Sequence, residues 1–550
     1  MKKLLRPWIL AVIAGLAAAS FSFRHEDRLF EIARNLDIYA TLFKELNAYY
    51  VDDVNPNLLI KRSIDEMLRY LDPYTVYYAE DDIEDYMTMT TGKYNGIGAQ
   101  VLYNEGIHVI TMISEGSPAQ KAGLRLGDEL VKIDQVTLSS LKDPDLSKLL
   151  RGQTNTNVKL SVRRLGEKNL LEIPVTRDVV KTNNVPYYGM ISEEVGYIEL
   201  KEFTATASRE VRNAFQELKG KGMKKLVLDV RGNPGGLLNM AIDISNIFVP
   251  KGEEIVATKG KVTEWNKVYK AQNPALDTDI PMVVLINNRS ASAAEIVSGV
   301  IQDYDRGVLI GQRTFGKGLV QTTRDLAYNT KMKITTAKYY IPSGRCIQAI
   351  DYSHRNEDGS VGKIPDSLQT AFTTRKGRVV YDGGGVMPDI LIEREEYSPL
   401  AMALLSKKLL FDYAVKYRNE HASIKPAREF ALTDTEYAAF VKWLGDKDYD
   451  YTTQVEKELY ALEATAKKEK SYGSIADQLK ALHSKLAHNK DNDLQLFKKE
   501  IKTLLEEEII KHYYLERGIR EASFERDEEM KAALDLFKNM TRYQSILSEK

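Results

Sequence analysis

The chain has 550 residues, so it is read as several domains, because single cores seldom grow past about 250–300 residues. With 43% hydrophobic and 28% charged residues and a formal charge of −1, it has an ordinary folded composition and no electrostatic case for a nucleic-acid partner. A lone cysteine, Cys346, excludes an intrachain disulfide and a cysteine-based zinc site, and no metal or cofactor is expected.

The first residues, MKKLLRPWILAVIAGLAAASFSF, place Lys2, Lys3 and Arg6 ahead of an apolar run with small residues at Ala18–Ser20. Residues 1–24 are therefore expected to be a secretory signal. A retained membrane anchor is the alternative, since the run through Phe23 approaches the roughly 17 residues a spanning helix needs. Either reading puts the remainder outside the cytoplasm, in a bacterial periplasm, free or attached to the inner membrane. Residues 25–90 show apolar positions at three- and four-residue spacing in LDIYATLFKELNAYYV and NPNLLIKRSIDEMLRYL, with Asn55-Pro56 as the break. This region is expected to be a helical packing or homo-oligomerisation element without chemistry.

From Thr91 to Asp178 the texture changes to short β-like runs: YNGIGAQVLY, GIHVITMI, DELVKIDQV and NVKLSVRRL, with DPDLSKLLRG as a short helix. GIGAQV followed by ISEGSPAQKAGLRLGDELVKIDQV resembles a PDZ domain of the bacterial protease type. Glycines at 96 and 98 let successive backbone N–H groups across Gly96, Ile97, Gly98 and Ala99 converge into a nest for a carboxylate, beside a strand edge that can pair with a peptide. Arg151 closes SKLLRG. It is a candidate for coupling, holding the Lys317–Gln321 loop once a tail fills the PDZ groove; an arginine covering its own helix is the plainer reading.

From residue 179 to about 395, β-runs such as VGYIEL, KKLVLDVRG and MVVLINN alternate with helical stretches such as SREVRNAFQELK and LLNMAIDISNIF, the pattern of an α/β core. In PMVVLINNRSASAAEIVSGVIQDYDRG an apolar strand turns through small residues into a helix around Ser292, which is how many hydrolases present a nucleophile. The usual base is histidine, but none of the seven histidines stands in a glycine-rich or strand-end context. Lysine can replace it if burial lowers its pKa from about 10.4. Twenty-five residues after Ser292, GQRTFGKGLVQ supplies Lys317 and then Gln321. Two plainer readings compete. Ser292 and Glu295 have the spacing of a helix capping box. Gly311-x-x-x-x-Gly316-Lys317 nearly matches a phosphate-binding loop, but Gly318 stands where Ser or Thr must hold Mg²⁺.

Taken together, RSASAAEI, QDYDRG, GQRTFGKGLVQ, DVRGNPGGLL and YYIPSGRCIQ after a PDZ-like segment resemble the carboxyl-terminal processing serine peptidases, over about Leu36 to Ile392. The resemblance implies an α/β multidomain protein with a core like the Clp protease and crotonase fold, a PDZ domain before it, and cleavage near the accessible C-terminal tails of protein substrates. It implies Ser292 as nucleophile, Lys317 as general base and Gln321 as the residue orienting the lysine. The oxyanion hole falls to backbone N–H groups of Ala293 and of Gly235 or Gly236, where preorganised donors are worth several kcal/mol. Asp303 lies three helical turns past Ser292 on the same face; a supporting role and a simple helix-face ion pair are both open. Residues 396–550, rich in Lys, Glu, Leu and Ala, form a helical accessory region outside the shared pattern. A catalytically silent PDZ adaptor is the rival from another class, and it has no need of the Ser292, Lys317 and Gln321 set.

Overall fold

The computed structural model describes residues 7–104, 106–138, 143–356, 358–393, 396–486 and 490–548. Lys2, Lys3 and Arg6 of the expected leader, and His488, lie outside the described residues. The chain divides into two units, Met1–Glu80 with Thr323–Ile334, and Asp81–Thr322 with Thr335–Lys550.

The first unit carries helices Pro7–Tyr49 and Pro56–Arg69. The expected break is where the second helix starts: Asn55 accepts the Leu58 N–H at 3.1 Å and Pro56 takes the first turn, where its missing donor is harmless. A short strand, Val76–Tyr78, pairs antiparallel with residues 331–333. Among the described residues no helix is long and apolar enough to cross a membrane.

In the second unit the PDZ-like segment is a sheet in the order Ala99–Asn104, Ile107–Ile113, Glu129–Ile133, Asn157–Arg163 and Leu171–Thr176. The helix Asp143–Leu150 stands where DPDLSKLLRG predicted it. Ile110, Val158, Leu160 and Val162 fill its core without exposure. A separate ribbon pairs Lys93–Gly96 with Asp178–Lys181.

The central sheet has six strands in the order Tyr187–Met190, Val195–Glu199, Lys225–Asp229, Met282–Ile286, Val308–Gly311 and Ile390–Leu391. Only the first pairing is antiparallel. Side chains alternate across a strand, so Leu226 and Leu228 face one way and Val227 the other. Helices Ala207–Gly220, Leu238–Phe248 and Ala293–Asp303 cover the first face. The second face is covered from the far end of the chain: Tyr197, Val227, Val283, Leu285 and Ile310 pack against Phe524, Met530, Leu536, Phe537 and Tyr543.

The helical region after residue 396 is therefore two things. Its earlier helices build their own core around Leu404, Phe440, Leu505 and Ile509, while Glu528–Lys538 and Met540–Ser548 complete the central sheet. A strand such as MVVLI is apolar on both faces and needs two covers, and only one was visible nearby in sequence. The long amphipathic stretch forms Lys498–Ser523, broken at Leu515 by φ 54, ψ −151. Leu515 and Phe411 pack against the PDZ core.

Candidate active site

Strand Met282–Ile286 ends and helix Ala293–Asp303 begins across a sharp turn, with Ser292 at its N-cap and half-buried. Ser292 has φ 55, ψ −114, a conformation that stores about 1–3 kcal/mol in a non-glycine residue and persists only where its surroundings enforce it. The enforcement is visible on both sides of the residue. Its N–H donates to Glu295 Oε2 at 2.8 Å, and its carbonyl accepts the hydroxyl of buried Tyr339 at 3.1 Å. The neighbouring Ser290 hydroxyl donates to Val230 O at 2.8 Å, and Ala291 N–H donates to Asn233 O at 2.9 Å.

Glu295 does more than cap its helix. Its fully buried carboxylate also accepts Thr314 Oγ1 at 2.5 Å, Gly316 N–H at 2.7 Å and Lys317 N–H at 2.8 Å. One carboxyl group thus joins the serine turn to the loop that carries Lys317. Burial pushes its pKa up to about 7, against the pull of these four donors. Phe315 N–H donates to Ser290 O at 3.0 Å, a second tie between loop and turn. Beyond Lys317, Gly318 N–H donates to Gln348 Oε1 at 2.7 Å, and Gln321 lies on strand Leu319–Asp325 with its amide donating to Thr335 Oγ1 at 3.1 Å. A phosphate-binding loop must open a helix; this one opens a strand, and that reading closes.

Gly235 lies directly against the turn. A Cβ there would meet Ser292 Cβ at 2.8 Å and Ala293 N at 2.9 Å, and φ is +96. The two glycines are not equivalent, however. Gly235 N–H is committed to Asn233 Oδ1 at 2.8 Å. The N–H groups of Gly236 and Ala293 donate to no acceptor among the described residues. Gly236 is flanked instead by the bonds Phe203 N–H to Gly235 O, 3.1 Å, and Leu237 N–H to Phe203 O, 2.8 Å.

Asp303 ends the helix that Ser292 starts. Eleven residues at 1.5 Å each put it about 16 Å along the axis, so sharing a face does not bring it to the serine. It pairs instead with the buried Arg345 at 2.9 Å and accepts Ser343 N–H at 2.9 Å, pinning the IPSGR segment; burial raises its pKa and Arg345 opposes the rise. The described histidine side chains are engaged elsewhere: His108 with Leu138 O, His354 with Asp351, His421 with Tyr417 O, His483 with Glu463, and buried His512 beside Phe411.

In the PDZ domain, Ile97 is buried and its carbonyl accepts Ala119 N–H at 2.8 Å. Gly98 has φ +77, and a Cβ there would fall 2.4 Å from Ser117 Cβ. Neither Ile97 nor Gly98 N–H has a backbone acceptor among the described residues. Ala99–Asn104 is an edge strand, paired only with Ile107–Ile113 among the described residues. Arg151 donates from its guanidinium to Asp85 at 2.5 Å and lies over the Tyr94 ring at 5.5 Å; neither contact is to the Lys317–Gln321 loop.

With this geometry in hand, the pattern of peptidase family S41 matches residues 194–353, a PDZ pattern matches 109–164, and the pattern of a probable PDZ-protease C-terminal helical domain matches 400–537. A carboxy-terminal-processing protease of Bartonella bacilliformis is 36% identical over 322 residues, 58% of this chain and 73% of that protein. The chain belongs to peptidase family S41. The carboxy-terminal processing protease CtpA of Bacillus subtilis is 33% identical over 306 residues, 56% of this chain and 65% of that protein. Among solved structures, the photosystem II D1 C-terminal processing protease is similar at 26% identity and TM-score 0.36, covering 64% of this chain and 86% of that one. The S41 assignment bears out the family resemblance read from the motifs.

Sequence reasoning treated Glu295 as a cap alone and did not reach Thr314, Tyr339 or Asn233. The spacing S-x-x-E did signal the bond to Ser292. Nothing local signals Tyr339, which arrives from 47 residues downstream.

Proposed function

We propose that this S41 protease is an exported serine endopeptidase that takes protein C-termini in its PDZ domain and cleaves near them through a Ser292/Lys317 dyad. Neutral Lys317 takes the Ser292 hydroxyl proton as Oγ attacks the scissile carbonyl, and Gln321 orients the lysine. The developing oxyanion is held by the uncommitted N–H groups of Gly236, which follows the glycine that abuts the Ser292 turn, and of Ala293. Protonated Lys317 then gives its proton to the leaving amine. Water, deprotonated in turn by the lysine, hydrolyses the acyl-enzyme. The PDZ reading is supported by the uncommitted N–H groups of Ile97 and Gly98 beside a free strand edge, which suit a terminal carboxylate and an added strand. Export rests on the basic, then apolar, composition of residues 1–24.

The observation that carries the proposal is the Glu295 carboxylate, which binds the backbone N–H groups of Ser292 and Lys317 through a single oxygen. An adaptor has no use for that convergence. The test is cleavage of a tailed reporter protein by Ser292→Ala and Lys317→Ala. Each variant is expected to lose it and the double variant to be little worse, since members of one catalytic unit are non-additive. Robust cleavage by either single variant would overturn the dyad.

A further inference from the structure

The loop that carries Gly235 and Gly236 leaves the central sheet through Arg231, and Arg231 is held by the last part of the chain. Its side chain is 14% exposed. Nε donates to both Asp229 oxygens at 3.0 and 3.1 Å, and Nη2 to Asp229 Oδ2 at 2.6 Å. From across the sheet edge, Asp527 accepts Nη1 at 3.0 Å and Nη2 at 2.7 Å, and Glu529 accepts Nη1 at 3.3 Å. All five guanidinium N–H groups are thereby engaged, in a fork geometry that only arginine offers. Asp527 is also the N-cap of Glu528–Lys538, accepting Met530 N–H at 2.9 Å, so the arginine is tied to a rigid element that itself covers the sheet. From Arg231 the path to the serine is short. Gly232 N–H donates to Asn287 Oδ1 at 2.9 Å, and Asn233 Nδ2 donates to Leu200 O at 2.7 Å. Asn233 then holds Gly235 N–H and Ala291 N–H.

We infer that Asp527, with Glu529, is a positioning residue for the oxyanion loop: the C-terminal segment sets the Gly236 N–H through Arg231. A bond-donor pair aimed at a transition state tolerates little displacement, and about 1 Å of error costs roughly a hundredfold in rate. The inference rests on the serine peptidase reading above and extends it to the chain beyond residue 523, whose helices otherwise look like mere cover.

The test uses the full chain. Asp527→Asn keeps a good N-cap acceptor while removing the charge that grips Arg231. Tyr543→Phe serves as a control of the same helical segment, because its hydroxyl bonds Met282 N–H at 3.0 Å and Met282 O at 3.1 Å, at the opposite end of the strands. The expected result for Asp527→Asn is a kcat lower by roughly tenfold with KM unchanged, and weaker inhibition by a peptide aldehyde in proportion, since the aldehyde adduct uses the same oxyanion donors. Asp527→Glu, which restores the charge, should regain part of the loss. Tyr543→Phe should lower Tm without touching kcat. If Asp527→Asn keeps full kcat and aldehyde affinity, or if Tyr543→Phe loses kcat equally, the positioning role is overturned. Ser292→Ala run alongside separates the levels: cleavage surviving in that variant refutes the serine reading itself, and this inference with it.

Discussion

Replacing Glu295 with glutamine is the sharpest perturbation of the frame that joins the Ser292 turn to the Lys317 loop. The carboxylate accepts four donors, two on each oxygen. A glutamine offers one acceptor oxygen and turns an NH₂ toward the other pair, of which at least one member is a backbone N–H that cannot accept. An orphaned buried donor costs about 1–3 kcal/mol, and loss of the charge weakens the remaining bonds. We therefore expect destabilisation of about 1–3 kcal/mol below pH 7, where the wild-type carboxyl is neutral, a smaller loss above it, where the wild type carries the cost of a buried charge, and a Tm lowered accordingly. The N-cap of Ser292 and the Lys317 loop lose their shared anchor, and kcat should fall about a hundredfold with a smaller change in KM. The pH behaviour gives a second reading with its sign fixed. Glu295 is raised from 4.5 to about 7 in the fold, so it stays protonated there while an unfolded chain has already ionised. Its contribution to stability is thus greatest below pH 4.5 and falls by about 3 kcal/mol as pH rises to 7. Activity runs the other way, because the complete four-donor clamp needs the carboxylate, so wild-type kcat should rise through pH 7. Chemical denaturation at several pH values and steady-state kinetics on the reporter read both quantities. A Glu295→Gln protein with wild-type Tm, kcat and pH dependence would refute the clamp.

Gly236→Ala should reduce kcat by about 10²–10³, because a Cβ at φ +146 would fall 2.5 Å from Phe203 O and displace the proposed donor; the variant's kcat/KM on the reporter checks this, and near-normal turnover would remove Gly236 from the site. For the PDZ domain, a tail peptide with an amidated C-terminus should bind full-length Ser292→Ala clearly more weakly by calorimetry than the free acid, and Gly98→Ala should weaken the free acid in the same way. Equal affinities would leave the domain a spacer.

The fold was legible wherever a local pattern implies it. GIHVITMI and NVKLSVRRL are strands, DPDLSKLLRG is a helix, and the strand-to-helix turn at Ser292 sits where the small residues predicted it. Ser292, Lys317 and the two glycines were legible as candidates because each stands in a short motif. What escaped was set by distance along the chain or by competition among donors. Tyr339 reaches Ser292, and Asp527 reaches Arg231, from other elements, with no periodicity to announce them. Only the bond from Gly235 N–H to Asn233 distinguishes Gly235 from Gly236 as a donor. For Asp303 the sequence left a supporting role and an ion pair open; the pairing with Arg345 is of the second kind, and helical phase alone, which says nothing of the rise along the axis, does not choose between them. Arg151 was placed by its position in a helix end, and the nearby Asp85 and Tyr94 decide where it goes.

Ser292 is proposed to form an acyl-enzyme with Lys317 as its base. The direct measurement is intact-mass and peptide-mapping spectrometry after brief exposure of the protein to a p-nitrophenyl ester, at a series of pH values. One acyl group should appear on the peptide containing Ser292, with a rate that rises with pH to a midpoint well below the lysine value of about 10.4. Lys317→Ala should acylate far more slowly, and Ser292→Ala should not acylate. An acyl group mapped to another residue, or a Lys317→Ala protein acylated at the wild-type rate, would contradict the account.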